Sequence, residues 1–171
     1  MLKLFLPDQY VKSIFEIRPE ELKANGIKGV ITDLDNTLVA WDVAHATEEV
    51  HKWFKEMEDH GIAVTIISNN NRERVELFSQ PLNRPFVYLA KKPLKRAFIK
   101  AAQAMNLSRD EIVVIGDQVL TDVLGGNRAG FSTILVVPIV ETDDKITRFN
   151  RKIERRILNK LKKQGLIEWE N

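Results

Sequence analysis

The sequence of 171 residues contains no cysteine, which excludes disulfide bridges, thiolate metal sites and cysteine nucleophiles. Its longest apolar runs, Ile62–Ile67 and Ile134–Val140, are far shorter than the ~20 residues that a membrane-spanning helix needs. Pro7 and Asp8 end the opening apolar run too early for a secretory signal peptide. We therefore expect a cytoplasmic protein without a transmembrane segment.

A strong excess of one charge is also absent. The chain has 26 Lys and Arg against 24 Asp and Glu, a net charge of +2 that by itself names no partner. Hydrophobic residues make up 44% and charged residues 29%, as in ordered globular proteins. No repeat, low-complexity segment or long linker divides the sequence, so we predict one domain over residues 1–171.

Apolar β-rich runs alternate with helical patterns along the chain. The runs predict strands near residues 28–33, 62–67, 86–89, 112–115 and 133–137. Consecutive apolar residues, as in Ile112–Ile115, are typical of strands that are buried on both faces of a parallel sheet. The fold class is therefore α/β, a doubly wound parallel sheet of about five strands.

Polar residues follow four of the predicted strands. Asp33 and Asp35 follow the first, Ser68 the second and Asp117 the fourth, while Lys92 lies just beyond the third. Ligands of such sheets bind outside the carboxyl ends of the strands, so we expect these residues to form one site.

The residue types in this set predict metal-assisted phosphoryl transfer. Asp33 and Asp117 are candidate ligands for Mg²⁺, which prefers carboxylate oxygens. Asp33 could also attack phosphorus to give an aspartyl-phosphate, and Asp35 could protonate the leaving oxygen and later activate water. Lys92 and the Ser68 hydroxyl would hold the phosphoryl oxygens.

Each of these residues has a simpler explanation when it is taken alone. An Asp-x-Asp pair is common in surface loops, and Ser68 could belong to a turn or cap a helix. Lys92 could lie on the solvated surface, and Asp117 could cap the following helix. The hypothesis rests on their combination. Asp122, one helical turn past Asp117, could orient Lys92 or a metal-bound water.

These segments resemble, in the same order, the four motifs of the haloacid dehalogenase (HAD) superfamily of phosphatases. The matching segments are 33–38, 66–69, Lys92 and 116–122, within a catalytic core of about residues 28–137. The resemblance implies that Asp33 is the nucleophile and Asp35 the acid/base. It implies Mg²⁺ on Asp33, the Asp35 backbone carbonyl and Asp117, phosphate binding by Asn36, Ser68, Asn69 and Lys92, and support from Thr37, Gly116 and Asp122.

Many members of this superfamily carry a cap domain over the site, inserted after the first motif or between the second and third. Only 32 residues separate Asp35 from Ser68 and 23 separate Ser68 from Lys92, so we predict no separate cap domain. An open site suits a phosphate on a large carrier, such as a protein, a nucleic acid or a membrane surface. A small substrate would fit if oligomerisation supplied a lid.

The chain also resembles the YqeG family of capless bacterial phosphatases, which is related to phosphatidylglycerophosphate phosphatases of mitochondria and cyanobacteria. The resemblance rests on residues 6–17, 26–30 and 90–93 and on the basic tail. It implies hydrolysis of phosphatidylglycerophosphate to phosphatidylglycerol, at the inner membrane surface. The alternative substrates are a phosphoprotein or a small phosphate ester.

Residues 145–163 predict a basic amphipathic helix with nine Lys or Arg and one acid, Glu154. Such a helix could lie on an anionic membrane or bind nucleic acid. Alternatively, its apolar face packs on the sheet and its basic face is solvated.

Two non-enzymatic functions of the protein also stay open, a phospho-switch similar to response-regulator receivers and a nucleic-acid-binding protein. Asp35 favours the enzyme, because its position after Asp33 suits leaving-group protonation.

Overall fold

The computed structural model describes residues 2–141 and 145–168. Within them, six parallel strands form one sheet: β1 (Gln9–Val11), β2 (Gly29–Thr32), β3 (Ala63–Ile67), β4 (Phe86–Val87), β5 (Ile112–Gly116) and β6 (Ser132–Val136). Their order across the sheet is β1-β6-β5-β2-β3-β4. The predicted α/β parallel sheet is confirmed, with six strands in place of about five.

Helices cover both faces of this sheet. They are α1 (Pro19–Ala24), α2 (Glu48–Asp59), α3 (Arg72–Ser79), α4 (Lys95–Met105), α5 (Leu124–Ala129) and α6 (Lys145–Lys163). Residues of α1, α2 and α3 pack with Val30 of β2 on one face, whereas residues of α4 and α5 pack with Ile31 on the other. The alternation arises because successive side chains of a strand point to opposite faces.

The chain winds outward from β2 through β3 to β4, and β5 then pairs with the other side of β2. The strand order therefore reverses between β2 and β5, where open α/β sheets bind their ligands. Asp33 directly follows β2 and donates its backbone N–H to the Ile115 carbonyl of β5, at 2.9 Å. Asp117 directly follows β5, so the topology brings two distant acidic residues together.

Three elements differ from the sequence-based expectation. The edge strand β1 and the mainly polar helix α3 were not predicted, and β4 ends at Val87, earlier than expected. No separate cap domain lies in residues 2–141 or 145–168, as predicted. The helix between the first two motifs, α2, packs Trp53, Phe54 and Met57 into the core. None of the described helices is long and apolar enough to cross a bilayer.

Candidate active site

A buried lysine links two of the acidic residues. Lys92 Nζ donates to Asp33 Oδ1 at 2.6 Å and to Asp122 Oδ1 at 2.7 Å. Asp122 Oδ2 also accepts the backbone N–H of Gln118 at 3.1 Å. Burial favours the neutral form of Lys92, but the two carboxylates outweigh it and raise the pKa of the ammonium above its ordinary value. Lys92 therefore stays charged at the base of the site.

A second pair of contacts joins the ends of β2 and β5. The Thr37 hydroxyl donates to Asp117 Oδ1 at 3.1 Å and lies 3.4 Å from Asp33 Oδ2. Asp117 Oδ2 is paired with the guanidinium of Arg151 from α6, which also donates to the Asp117 backbone carbonyl at 2.7 Å. A fourth acid, Glu154, accepts from Arg151 at 3.3 Å and from the Leu120 backbone N–H at 3.0 Å.

These buried groups carry more negative than positive charge. Four carboxylates, from Asp33, Asp117, Asp122 and Glu154, face two cations, Lys92 and Arg151, an excess of two charges when all are ionised. Burial raises the pKa of Asp117 well above its ordinary range, against the attraction of Arg151. Burial also raises the pKa of Asp122 to about 6, although Lys92 favours its ionised form. One divalent cation would neutralise the excess.

The carboxylates also have a spacing that suits a metal ion. One oxygen each from Asp33, Asp117 and Asp122 lie within 4.8 Å of one another. A buried donor set made only of carboxylate oxygens fits a hard divalent cation. The trio contains both carboxylate ligands implied by the resemblance, Asp33 and Asp117, and adds Asp122, whose Oδ1 is held by Lys92.

The carboxylate of Asp35 points to a different set of partners. Its Oδ1 accepts from Arg74 Nε at 3.1 Å and Nη2 at 2.9 Å, and its Oδ2 accepts from Asn70 Nδ2 at 3.0 Å. Arg74 lies on α3 and also donates to the Ala44 carbonyl at 3.1 Å. Three hydrogen bonds therefore fix the orientation of Asp35 at the edge of the site.

The segment after β3 positions Lys92. Lys92 donates its backbone N–H to Asn69 Oδ1 at 2.7 Å, and Asn69 Nδ2 donates to the Lys92 carbonyl at 3.2 Å. The buried Ser68 hydroxyl accepts the Asn70 N–H at 3.0 Å, which leaves its own proton available for donation.

In the loop after β2, Asn36 has a φ of 64°, and its backbone N–H donates to the Val39 carbonyl at 2.7 Å. The backbone amide that the resemblance assigns to phosphate binding therefore already has a partner.

A cavity of about 360 Å³ opens over these groups. The residues around it come from the segments that follow β2, β3, β4 and β5 and from the first turn of α6. They are Asp33, Asp35, Asn36, Trp41, Ser68, Asn69, Asn70, Lys92, Gln118, Thr121 and Thr147. All four catalytic and all four phosphate-binding candidates lie on this cavity. The supporting candidates Thr37, Gly116 and Asp122 and the metal candidate Asp117 do not line it. Thr37 contacts Asp117, and Asp122 contacts Lys92 of the cavity.

Sequence reasoning missed two arginines of this site. Arg74 contacts Asp35 across 39 positions of the chain, and Arg151 contacts Asp117 across 34. For Arg151 the sequence held one signal, Glu154, which is the single acid of the basic tail. An acid in a basic amphipathic segment can mark an ion pair that faces the core.

The known proteins whose sequences are similar to this chain are named as phosphatases, and the matching family is one of hydrolases. A profile of the HAD-hydrolase-like family matches residues 89–163. The probable phosphatase YqeG of Bacillus subtilis (strain 168) is 60% identical over 168 residues, 98% of this chain and 98% of that protein. The chloroplastic/mitochondrial phosphatidylglycerophosphate phosphatase 1 of Arabidopsis thaliana is 30% identical over 94% of this chain and 49% of its own length.

A solved structure shows the same fold at low identity. The cobalt-bound deoxy-D-mannose-octulosonate 8-phosphate phosphatase of Haemophilus influenzae has a TM-score of 0.53 and 15% identity, over 86% of this chain and 96% of that one. The fold and the acidic site define a HAD-type phosphatase, a class that generally uses a divalent metal. Within that class, the chain belongs to the family of the probable phosphatase YqeG.

Proposed function

We propose that this phosphatase hydrolyses the terminal phosphate of phosphatidylglycerophosphate through an aspartyl-phosphate on Asp33 and depends on Mg²⁺. The observation that carries the mechanism is the placement of Asp33 on the cavity floor, where Lys92 holds one carboxylate oxygen and Thr37 lies near the other. A carboxylate fixed in this way would need little reorganisation before it attacks a phosphoryl group in the cavity.

In the first step, an oxygen of Asp33 forms a bond to phosphorus, and the bond from phosphorus to the glycerol oxygen breaks. Asp35 gives its proton to the departing oxygen, which would otherwise leave as a poor, basic alkoxide. Because Arg74 pairs with Asp35 Oδ1 and Asn70 with Oδ2, the proton transfer requires one of these contacts to loosen.

In the second step, Asp35 is a carboxylate and takes a proton from a water molecule that attacks phosphorus. The bond from Asp33 to phosphorus breaks, inorganic phosphate leaves and Asp33 is restored. The Lys92 ammonium contributes positive charge near the phosphoryl oxygens, and the Ser68 hydroxyl donates a hydrogen bond to them. Asn69 supports this role by bonding both the backbone N–H and the carbonyl of Lys92.

Magnesium would be held by Asp33 and Asp117, with Asp122 close by and engaged by Lys92. When bound, the ion would supply the positive charge that a phosphate ester needs before an anionic nucleophile can approach. The excess of two negative charges among the buried groups supports a divalent ion at this position.

A lipid phosphate as substrate has two lines of support. The relative from Arabidopsis, which is named for phosphatidylglycerophosphate, is similar over 94% of this chain. The described residues also form no separate cap, so the cavity mouth is open to a phosphate on a large carrier. We propose that the enzyme works in the cytoplasm, at the inner face of the membrane.

A phosphate-release screen tests the function. The wild-type enzyme with Mg²⁺ should release phosphate from phosphatidylglycerophosphate in anionic vesicles faster than from phosphopeptides, nucleotides or sugar phosphates. EDTA should abolish release, and Asp33→Asn should lower kcat roughly a thousandfold or more, because the nucleophile is lost. Asp42→Asn, which changes an exposed acid nearby in the chain, is the matched control and should keep wild-type activity.

Two results would contradict the proposal in different ways. Robust magnesium-dependent turnover by Asp33→Asn would remove the assigned nucleophile. Preference for soluble sugar phosphates would remove the lipid substrate and leave the mechanism. A stable phosphorylated protein that never releases phosphate would instead favour the phospho-switch.

A further inference from the structure

Large apolar side chains are exposed around the mouth of the cavity. Trp41 lines the cavity and is 43% exposed. Ile146 is 72% exposed and directly precedes Thr147, which lines the cavity from α6. Phe149, less than one turn further along α6, is 64% exposed. Such side chains are costly to leave in water, and when they adjoin a functional cavity they indicate a contact surface.

Two further apolar residues are tied to the same mouth by backbone hydrogen bonds. The exposed Leu89 donates its N–H to the carbonyl of cavity-lining Asn70 at 2.9 Å. The exposed Ile139 donates its N–H to the carbonyl of cavity-lining Asn36 at 3.0 Å. We define the apolar rim as Trp41, Leu89, Ile139, Ile146 and Phe149.

The helix α6 has two faces with different surroundings. Its buried face carries Glu154, Leu158 and Leu161, and the two leucines anchor the helix to the protein. At 3.6 residues per turn, a row of exposed basic residues continues along α6 from Phe149 on the same side of the helix. The basic row consists of Lys152, Arg156, Lys160 and Lys163.

The charge of this outer face is of one sign. Glu154 is the one acid of α6 and is only 3% exposed, so every charged side chain that the helix itself exposes is basic. A surface on which basic groups lie next to large apolar groups complements an anionic bilayer, which offers negative headgroups above hydrocarbon. RNA would account for the basic row but not for the exposed apolar side chains of Ile146 and Phe149.

We infer that the basic row and the apolar rim form a docking surface for an anionic phospholipid bilayer and place the cavity mouth against its headgroups. The inference deepens the proposed function, because a lipid phosphate could then enter the cavity without leaving the membrane. Vesicle binding does not require catalysis, so the docking inference and the proposed reaction can fail separately.

Vesicle sedimentation with the full-length chain tests this surface. Wild-type protein should bind vesicles of phosphatidylcholine and phosphatidylglycerol, and bind pure phosphatidylcholine weakly. Ile146→Ser with Phe149→Ser should lower binding by about tenfold or more, since two inserted side chains are lost. The matched control is Phe15→Ser, because Phe15 is 42% exposed and does not line the cavity.

A second pair of variants tests the charge. The triple variant K152Q/R156Q/K160Q should bind anionic vesicles more weakly and with a smaller salt dependence than wild type. K52Q/K55Q/K100Q removes the same charge from exposed lysines of α2 and α4 and should bind as wild type does. All these variants should hydrolyse the soluble ester 4-nitrophenyl phosphate at wild-type rates, which shows that the fold and the site are intact.

Asp33→Asn separates the docking surface from the reaction, because it should bind vesicles normally while releasing no phosphate. Failure of wild-type protein to bind anionic vesicles would overturn the inference. Equal loss of binding in Phe15→Ser and in the double variant would overturn it too. So would RNA binding that depends on the basic row in the absence of vesicle binding.

Discussion

At the scale of single residues, Gly116 shows how closely the site is packed. A β-carbon at this position would lie 2.2 Å from Cγ of Asp122 and would displace that carboxylate. Asp122 has little freedom to move, because its two oxygens are engaged by Lys92 and by the Gln118 N–H. The glycine is therefore required by the acid that packs over it, not by its backbone angles.

Gly116→Ala should lower the free energy of unfolding by about 1–3 kcal/mol, the usual cost of overpacking. Urea denaturation measures this change. In an Asp122→Ala background the same substitution should cost much less, because the clashing carboxylate is gone. Equal costs in the two backgrounds would show that Gly116 has another role.

The polar residues after the strands, Asp33, Ser68 and Asp117 directly and Lys92 a few positions further on, could be predicted as one site from the sequence, because strand ends of a parallel sheet share an edge. The contacts of Arg74 and Arg151 could not, since nothing local pairs an arginine on a helix with an acid more than thirty positions away. The hydrogen bond from the Asn36 N–H to Val39 was equally hidden, because it depends on the positive φ of a tight loop.

At the scale of elements, α6 is attached to the active site as well as to the core. Leu158 and Leu161 are buried against the protein, and Glu154 accepts the Leu120 N–H from the turn that follows β5. Arg151 adds two contacts to Asp117. The predicted basic amphipathic helix thus packs part of its apolar face on the protein, while Ile146 and Phe149 at its start stay exposed.

Arg151→Ala should lower the free energy of unfolding by about 3 kcal/mol, because it leaves the buried Asp117 carboxylate without its cation. The matched control is Arg155→Ala, since Arg155 pairs with the exposed Glu141 and an exposed pair contributes less than about 1 kcal/mol. Chemical denaturation of both variants in EDTA gives the comparison. Similar costs would mean that Arg151 does not anchor α6.

The predicted strands have continuous apolar runs in the sequence, whereas β1, the strand that was not predicted, has none. β1 is three residues long and contains only one aliphatic side chain, Val11. It is held by pairing with β6 and by Asp8, which exchanges two hydrogen bonds with Thr133 at 2.9 and 2.7 Å. Long-range pairing of this kind leaves no periodic signal. The polar helix α3 is preceded by its N-cap, Asn71. The sequence alone does not distinguish this cap from a residue of a polar turn, because asparagine is common in both.

At the scale of the whole molecule, the strand order explains why the site exists. The reversal between β2 and β5 places Asp33 and Asp117 side by side, and α6 closes the remaining side with Arg151. The alternation of apolar β-rich runs and helical patterns in the sequence predicts the parallel sheet. It does not predict that α6 packs against the site, because the turn that α6 contacts, at Leu120, lies more than thirty residues earlier.

A divalent ion that binds the buried acids should stabilise the whole chain. Mg²⁺ should raise the melting temperature in a concentration-dependent way, with about 2.7 kcal/mol of added stability at one hundred times its Kd. Asp117→Asn should lose most of this shift, whereas Asp42→Asn should keep it. An unchanged shift in Asp117→Asn would place the ion elsewhere.

The central claim, that Asp33 carries the phosphoryl group, is tested most directly by trapping it. In Asp35→Asn, the phosphoenzyme should form from 4-nitrophenyl phosphate, whose leaving group needs no proton, and should decay slowly because water is no longer activated. Borohydride treatment and peptide mass spectrometry should then find Asp33 reduced to homoserine, and only when Mg²⁺ is present. Modification of a different residue, or phosphate release with Asp33 never modified, would contradict the account.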